Sequence, residues 1–170
     1  YDGRGAADES MLADGVKKIG FQVMVAYRVM RFFRESGNLL AAQFVSRMIR
    51  HLYSSDIHWD AEFDPGVVIV HGFGLAISYG ARVSRGCILF QHVTLGHGSE
   101  AASEAGDRKS GAPLLRENVH VGIGATLFGP IEVGEGSKIM AGCVVGKSVP
   151  ARSVVEAPEP HVVPRVRQKG

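Results

Sequence analysis

From Asp56 onward the apolar residues recur every six positions. Leu115, Val121, Leu127, Val133, Ile139 and Val145 follow one another at that spacing without a slip. Four positions after each stands a small or branched residue: Val119, Ala125, Ile131, Ser137, Cys143 and Val149. The spacing continues upstream through Ile57, Phe63, Ile69 and Leu75, and then through Val83, Leu89 and Leu95. A helix repeats every 3.6 residues and a half-buried strand every 2, so neither yields six. The period predicts a parallel β-helix with three flat faces, in which three hexapeptides close a coil of about eighteen residues. Each hexapeptide then makes one short strand and one corner. Its aliphatic residue points inward, and the residue four positions on is compact because it sits near the corner. A coil cannot bury its own apolar face, so stability comes from stacking neighbours.

Two breaks in the period carry information. Leu75 to Val83 is two residues too long, which predicts a small bulge at one corner. Leu95 to Leu115 is far too long, and its interior, Gly98 to Gly111, is polar and glycine-rich. That segment is expected to be a loop thrown out between coils, and such loops in a regular solenoid are more often functional than neutral.

The front of the chain has another pattern. Val16, Ile19, Val23, Tyr27, Met30 and Phe33 follow helical spacing, with Asp14 placed to cap the start. Ser36-Gly37-Asn38 interrupts it, and Leu39 to Tyr53 resumes it. The chain therefore divides into a helical segment at 1–55, a β-helix at 56–155 with its loop at 98–111, and an extended tail at 156–170 containing Pro158, Pro160 and Pro164. The basic residues Lys17, Lys18, Arg28, Arg31, Arg34, Arg47 and Arg50 leave two readings of the hairpin. They are a membrane-surface patch, giving peripheral contact with a membrane, or the solvated face of helices that cap the first coil.

Composition changes the picture in three places. The 22 glycines are roughly twice the usual share, and Gly122, Gly134, Gly136 and Gly142 fall where corners are expected. A net charge of +2 and no reader motif exclude nucleic acid as a partner. Two cysteines, Cys87 and Cys143, make no disulfide framework and fall on small-residue positions of the repeat, so buried reduced thiols in a cytoplasmic protein are expected. The start, Tyr1 to Ser10, is too polar and acidic for a signal peptide. The apolar stretch Ile19 to Phe33 is broken by Arg28 and Arg31 and does not read as a membrane span.

The segments Asp56-Ile57-His58, Val70-His71-Gly72, Gln91-His92-Val93-Thr94-Leu95-Gly96 and Asp107-Arg108 resemble the serine acetyltransferases of the hexapeptide-repeat acyltransferase superfamily. So do Val121-Gly122-Ile123-Gly124-Ala125, Val133-Gly134-Glu135-Gly136-Ser137-Lys138-Ile139 and Ala141-Gly142-Cys143-Val144-Val145 followed by Val149-Pro150. The same stretch is similar to the shorter colanic-acid-type acetyltransferases that modify exopolysaccharide sugars. The resemblance implies a left-handed β-helix, an acetyl-CoA-dependent O-acetyltransferase with no metal, and a homotrimer whose sites are shared between neighbours. It makes His71 the general base and Asp56 the carboxylate that orients it, a pairing that suits proton removal from a hydroxyl attacking a thioester. It places acetyl-CoA against Gly96, Ile123, Lys138 and Ala141.

The departures from the serine enzymes are specific. Val70 stands where an aspartate precedes the base, Tyr79 replaces a glutamate, and Asp107-Arg108-Lys109 lacks the histidine of an Asp-Arg-His triplet. The helical segment is also shortened to one hairpin, with an Ala26-Tyr27-Arg28-Val29 stretch closer to the polysaccharide group. These departures lead to the expectation of a sugar acceptor on a lipid- or nucleotide-linked precursor, at the cytoplasmic face of a membrane, with L-serine as the alternative. Arg108 and Lys109 are the expected acceptor contacts, joined by His92; His92 and His97 are each candidates for a second acid/base. Two readings of other classes stand beside these: a zinc hydratase using His71, His92 and His97 across a subunit interface, and a non-catalytic scaffold.

Overall fold

The computed structural model describes residues 18–98 and 111–159. Helix α1 (Ile19–Glu35) and helix α2 (Leu39–Tyr53) form the hairpin. Among the described residues fourteen short strands follow, and all pair in parallel to make three sheets. The first sheet stacks β1 (Asp56–Ile57), β4 (Ala76–Ile77), β7 (Thr94–Gly96), β10 (Thr126–Phe128) and β13 (Val144–Val145). The second stacks β2 (Glu62–Phe63), β5 (Arg82–Val83), β8 (Leu114–Leu115) and β11 (Glu132–Val133). The third stacks β3 (Val68–Ile69), β6 (Ile88–Leu89), β9 (His120–Val121), β12 (Lys138–Ile139) and β14 (Val154–Val155). This is the expected three-faced β-helix.

Each strand is so short that it has one outward and one inward residue, which is why the hexapeptide rather than strict alternation carries the signal. The inward residues stack in register: Ile57, Ile77, Leu95, Leu127 and Val145 on the first sheet are all buried. The compact residues four positions on, among them Ala81, Cys87, Val93, Ala125 and Ser137, are fully buried beneath the corners. Both cysteines are free and buried, and burial raises the Cys87 thiol pKa. The second sheet faces outward with ion pairs, Glu62 with Arg82 at 3.5 Å and Glu132 with Arg116 at 2.8 Å. The first sheet is different: beyond Asp56, its outward row is Ala76, Thr94, Thr126 and Val144, without a charge.

One expectation shifts. Ile77, not Leu75, is the inward residue of β4, since it pairs with Ile57. Asp56 pairs with Ala76 and Ala76 with Thr94, so the two extra residues belong to the corner before β4 and not to the segment after Leu75. Leu75 is buried under that corner. The bulge therefore carries His71. The expected loop leaves the helix where the Gly98 N–H donates to the Gly111 carbonyl at 2.8 Å; its interior lies outside the described residues, as do Val16 and the proposed cap Asp14.

The hairpin closes the first coil, and it does so by a contact only glycine permits. Gly20 of α1 is buried, and a Cβ there would stand 1.8 Å from the Ile69 carbonyl oxygen. Val23, Tyr27 and Met30 follow along the same face at helical spacing and are also buried. Tyr27 meets Phe63 edge to face at 4.9 Å, and its hydroxyl donates to the Ala61 carbonyl. Two of the basic residues bond the first coil directly. Arg28 donates to the Phe63 carbonyl at 2.8 Å, and Arg31 to the Trp59 and Ala61 carbonyls at 3.2 and 3.1 Å. They satisfy corner carbonyls of the first coil, while Lys18, Arg28, Arg47 and Arg50 stay exposed on the solvated face of the helices that cap it. The hairpin also leaves large apolar residues exposed, among them Phe21, Phe32, Leu40 and Phe44. Among the described residues no helix is long and apolar enough to cross a membrane.

Replacing Gly20 by Ala should push α1 off the first coil, at the cost typical of overpacking, about 1–3 kcal/mol. Thermal unfolding followed by circular dichroism measures it; a melting temperature equal to wild type would mean that the contact is not tight.

Candidate active site

The edge where the third sheet turns into the first collects most of the expected site residues. His71 lies on the bulged corner, exposed and at φ 66°, and His92 lies on the corner one coil on at φ 59°. A left-handed conformation is uncommon for residues other than glycine, and non-glycine cases cluster at functional sites. The next corners of this edge carry Ile123 and Ala141. Gly124 donates its N–H to the Gln91 carbonyl at 3.1 Å and Gly142 to that of Ile123 at 2.8 Å, so the corners form one continuous column. Lys138 flanks it on the outward face of β12. Gly96 does not join them: it ends β7 at the far side of the first sheet.

The His71 corner is tied down by a residue that the repeat alone did not single out. Ser55 is fully buried, donates to the Gly72 carbonyl at 2.9 Å and accepts from the Leu75 N–H at 3.0 Å. Gly72 in turn sits against α1, where a Cβ would lie 3.1 Å from Val23 and 3.2 Å from the Gly20 Cα. Position 74 must also be glycine. It has φ +66°, and a Cβ would fall 2.0 Å from Nδ1 of His92, whose ring covers the site.

Asp56 follows Ser55 directly, so the structure brings it to the same edge as His71. It does not join the two by a hydrogen bond. The Asp56 carboxylate is engaged by Arg50 of α2, whose Nε and Nη2 both lie 2.9 Å from Oδ1. Sequence reading placed Arg50 among the basic residues of the hairpin and had no signal for this pairing, because it depends on how α2 runs into β1.

Beside Asp56 lies a groove of about 280 Å³, lined among others by Arg50, His58, Ser78, Tyr79 and Gly96. His58 was legible in principle: it is two residues after Asp56 and so on the same outward side of the chain. Its Nδ1 accepts from the Asp60 N–H at 3.1 Å. Burial pushes the His58 pKa below its ordinary value, and this outweighs the opposing pull of Asp60 and Asp56. Tyr79 meets His58 edge-on at 5.8 Å and stacks flat on His97 at 4.4 Å. Nδ1 of His97 is 2.9 Å from the Gly98 carbonyl, and its ring occupies the space a side chain at Gly111 would need. His92 and His97 thus share a coil but stand at opposite ends of β7. Among the described residues no group of histidine, cysteine and carboxylate side chains is arranged to hold a metal ion. Asp107, Arg108 and Lys109 lie outside the described residues.

Three parallel sheets of hexapeptide repeats define a left-handed β-helix. The comparisons agree with this architecture. The chain is 35% identical over 136 residues to a serine acetyltransferase of Synechococcus elongatus, covering 80% of this chain and 53% of that one. It is 32% identical over 144 residues to that of Escherichia coli, covering 85% and 50%. The solved Vibrio cholerae serine acetyltransferase superposes with a TM-score of 0.73 at 34% identity, over 82% of this chain and 52% of that one. The Neisseria gonorrhoeae serine acetyltransferase, solved in complex with serine, gives 0.73 at 27% identity over 84% and 57%. No family model matches the chain. The chain spans about half the length of the curated relatives it matches. Over most of its length the chain is similar to these serine acetyltransferases. These relatives do not back the expected nearness to polysaccharide acetyltransferases.

Two predictions test the local physics. Ser55→Ala leaves the Gly72 carbonyl and Leu75 N–H unpaired in the interior, and should cost about 1–3 kcal/mol in urea unfolding; a negligible change would show that the corner is held elsewhere. For His58, a folded-state pKa below the unfolded value of about 6.5 means that the unfolded chain binds its proton first on acidification. Stability from this group is present above about pH 6.5 and is lost as pH falls toward the folded value. The melting temperature of His58→Gln should therefore fall less than that of wild type between about pH 6.5 and 5, and the wild-type imidazole should titrate by NMR below pH 6.5.

Proposed function

We propose that this chain is an acetyl-CoA-dependent O-acetyltransferase whose acceptor is L-serine. The observation that carries the reading is the His71 corner: an exposed imidazole in a left-handed conformation, locked through Ser55 to the start of the strand that bears Asp56. Neutral His71 takes the proton of the acceptor hydroxyl as its oxygen attacks the thioester carbonyl. The C–S bond then breaks and the imidazolium returns the proton to the departing thiolate, so the base is regenerated. Asp56 orients and stabilises the imidazolium through Oδ2, since Arg50 holds Oδ1.

The donor's proposed contacts, Gly96 on one side and Ile123, Lys138 and Ala141 on the other, lie at different edges of a single chain. A homotrimer, in which Gly96 of one copy faces the corner column of the next, would bring them into one groove. The uncharged outward row of the first sheet suits burial against such a neighbour. Buried reduced thiols suit a cytoplasmic location.

The acceptor reading follows the relatives and reverses the expectation of a sugar. Val70 and Tyr79 still distinguish this chain from the serine enzymes, so the assay should offer both classes of acceptor. Purified protein with acetyl-CoA, read by released CoA thiol, should turn over L-serine in preference to sugars and nucleotide sugars. His71→Ala should lower kcat by about 10²–10⁴-fold, the usual cost of removing a general base, while acetyl-CoA binding persists. Near-normal turnover by that variant would move the base elsewhere, with His92 next in line.

A further inference from the structure

We propose that the outward face of the hairpin is a docking surface for an anionic lipid membrane. Helical spacing sets this face apart from the one that caps the first coil. In α1 the buried residues Gly20, Val23, Tyr27 and Met30 form one side, and Phe21, Val25 and Phe32 stand on the opposite side. In α2 Ala42, Ser46 and Ile49 are buried, while Leu40, Phe44 and Met48 follow every fourth residue along the other side. Tyr53 of α2 donates to Gln22 of α1 at 2.8 Å, so the two helices lie side by side. Phe32 and Phe44 are each 65% exposed and Leu40 is 81% exposed, so no described residue covers them. Single exposed apolar residues are ordinary, but a row of them along each of two adjacent helices marks an interaction surface.

Charge selects the partner. From Lys18 to Ser54 the only carboxylate is Glu35, against the cations Lys18, Arg28, Arg31, Arg34, Arg47 and Arg50. Arg31 pairs with Glu35, Arg34 with Asp60 and Arg50 with Asp56. Lys18, Arg28 and Arg47 are exposed and have no carboxylate partner among the described residues. Each stands one helical turn from the outward apolar row: Lys18 precedes Phe21, Arg28 lies between Val25 and Phe32, and Arg47 follows Phe44. Apolar side chains with unpaired cations beside them suit a bilayer interface. The apolar groups enter the boundary of the acyl chains, and the cations meet lipid phosphates. A second copy docked on the same face would instead set these cations against each other, with no free carboxylate from the hairpin to meet them. At 17 and 15 residues the helices fall short of the roughly 20 that cross a bilayer core, so the contact is peripheral.

The test is co-sedimentation of the full chain with vesicles of phosphatidylcholine, with and without phosphatidylglycerol. The chain should bind the anionic vesicles at least about 10-fold more tightly than the neutral ones, and binding should weaken as salt is raised. Leu40→Glu combined with Phe44→Glu should abolish binding. Arg47→Gln should lower the partition coefficient about 5-fold, the share of one cation near an anionic surface. All three residues are exposed and lie outside the candidate site, so the variants should fold, and circular dichroism checks this. Failure to bind, equal binding to both kinds of vesicle, or binding that survives the double substitution overturns the proposal. If wild type ignores vesicles and the double variant loses assembly mass by light scattering, the face belongs to a second copy and the lipid assignment falls. The readout uses no substrate, so the outcome of the acetylation assay neither supports nor overturns it.

Discussion

A coil of this β-helix has no inside of its own. Its inward residues are buried only because an identical layer lies above and below, and the first layer has nothing above it but the helical hairpin. The contact that closes this end is therefore the one on which the site depends. Gly20 lets α1 approach the Ile69 carbonyl at a distance no side chain would allow, and Gly72 lies against it from the corner. The same approach positions the His71 corner and brings Arg50 of α2 to Asp56. Packing at the capped end and geometry at the candidate site are one arrangement.

The bulge shows how a regular solenoid makes room for chemistry. A plain hexapeptide corner turns through one left-handed residue, as His92, Gly124 and Gly142 do. The corner before β4 has two additional residues and left-handed conformations at His71, Gly72 and Gly74. The imidazole is exposed on this longer corner, and the buried Ser55 hydroxyl restrains what the bulge would otherwise leave loose. The order of effects matters here. The repeat supplies a rigid base, the insertion supplies the projection, and a single buried hydroxyl fixes it.

Charge is distributed with equal economy. The second sheet spends its charges on pairs between adjacent coils and faces water. Arg28 and Arg31 of the hairpin donate to carbonyls of the first corners. The first sheet stays nearly free of charge, which leaves the Arg50–Asp56 pair as the main electrostatic feature beside the groove. A surface pair of this kind contributes little to stability.

Periodicity alone determined the architecture of this protein. A six-residue repeat from Leu115 to Val145 admits one arrangement of short parallel strands, and the helical spacing from Ile19 to Phe33 marked the hairpin, because both signals are local. The motif around His71 and Asp56 was legible for the same reason. What tertiary structure decided were the contacts between segments with different periods. The inward residue after the bulge was read as Leu75 and is Ile77, since an insertion in a corner leaves the register ambiguous until the neighbouring coil pairs with it. The pairing of Arg50 with Asp56, the stack of Tyr79 on His97, and the turn of Arg28 and Arg31 toward the first coil depend on the angle at which a helix meets a solenoid. No spacing along one chain encodes that angle; it is set where Gly20 and Gly72 allow two backbones to touch.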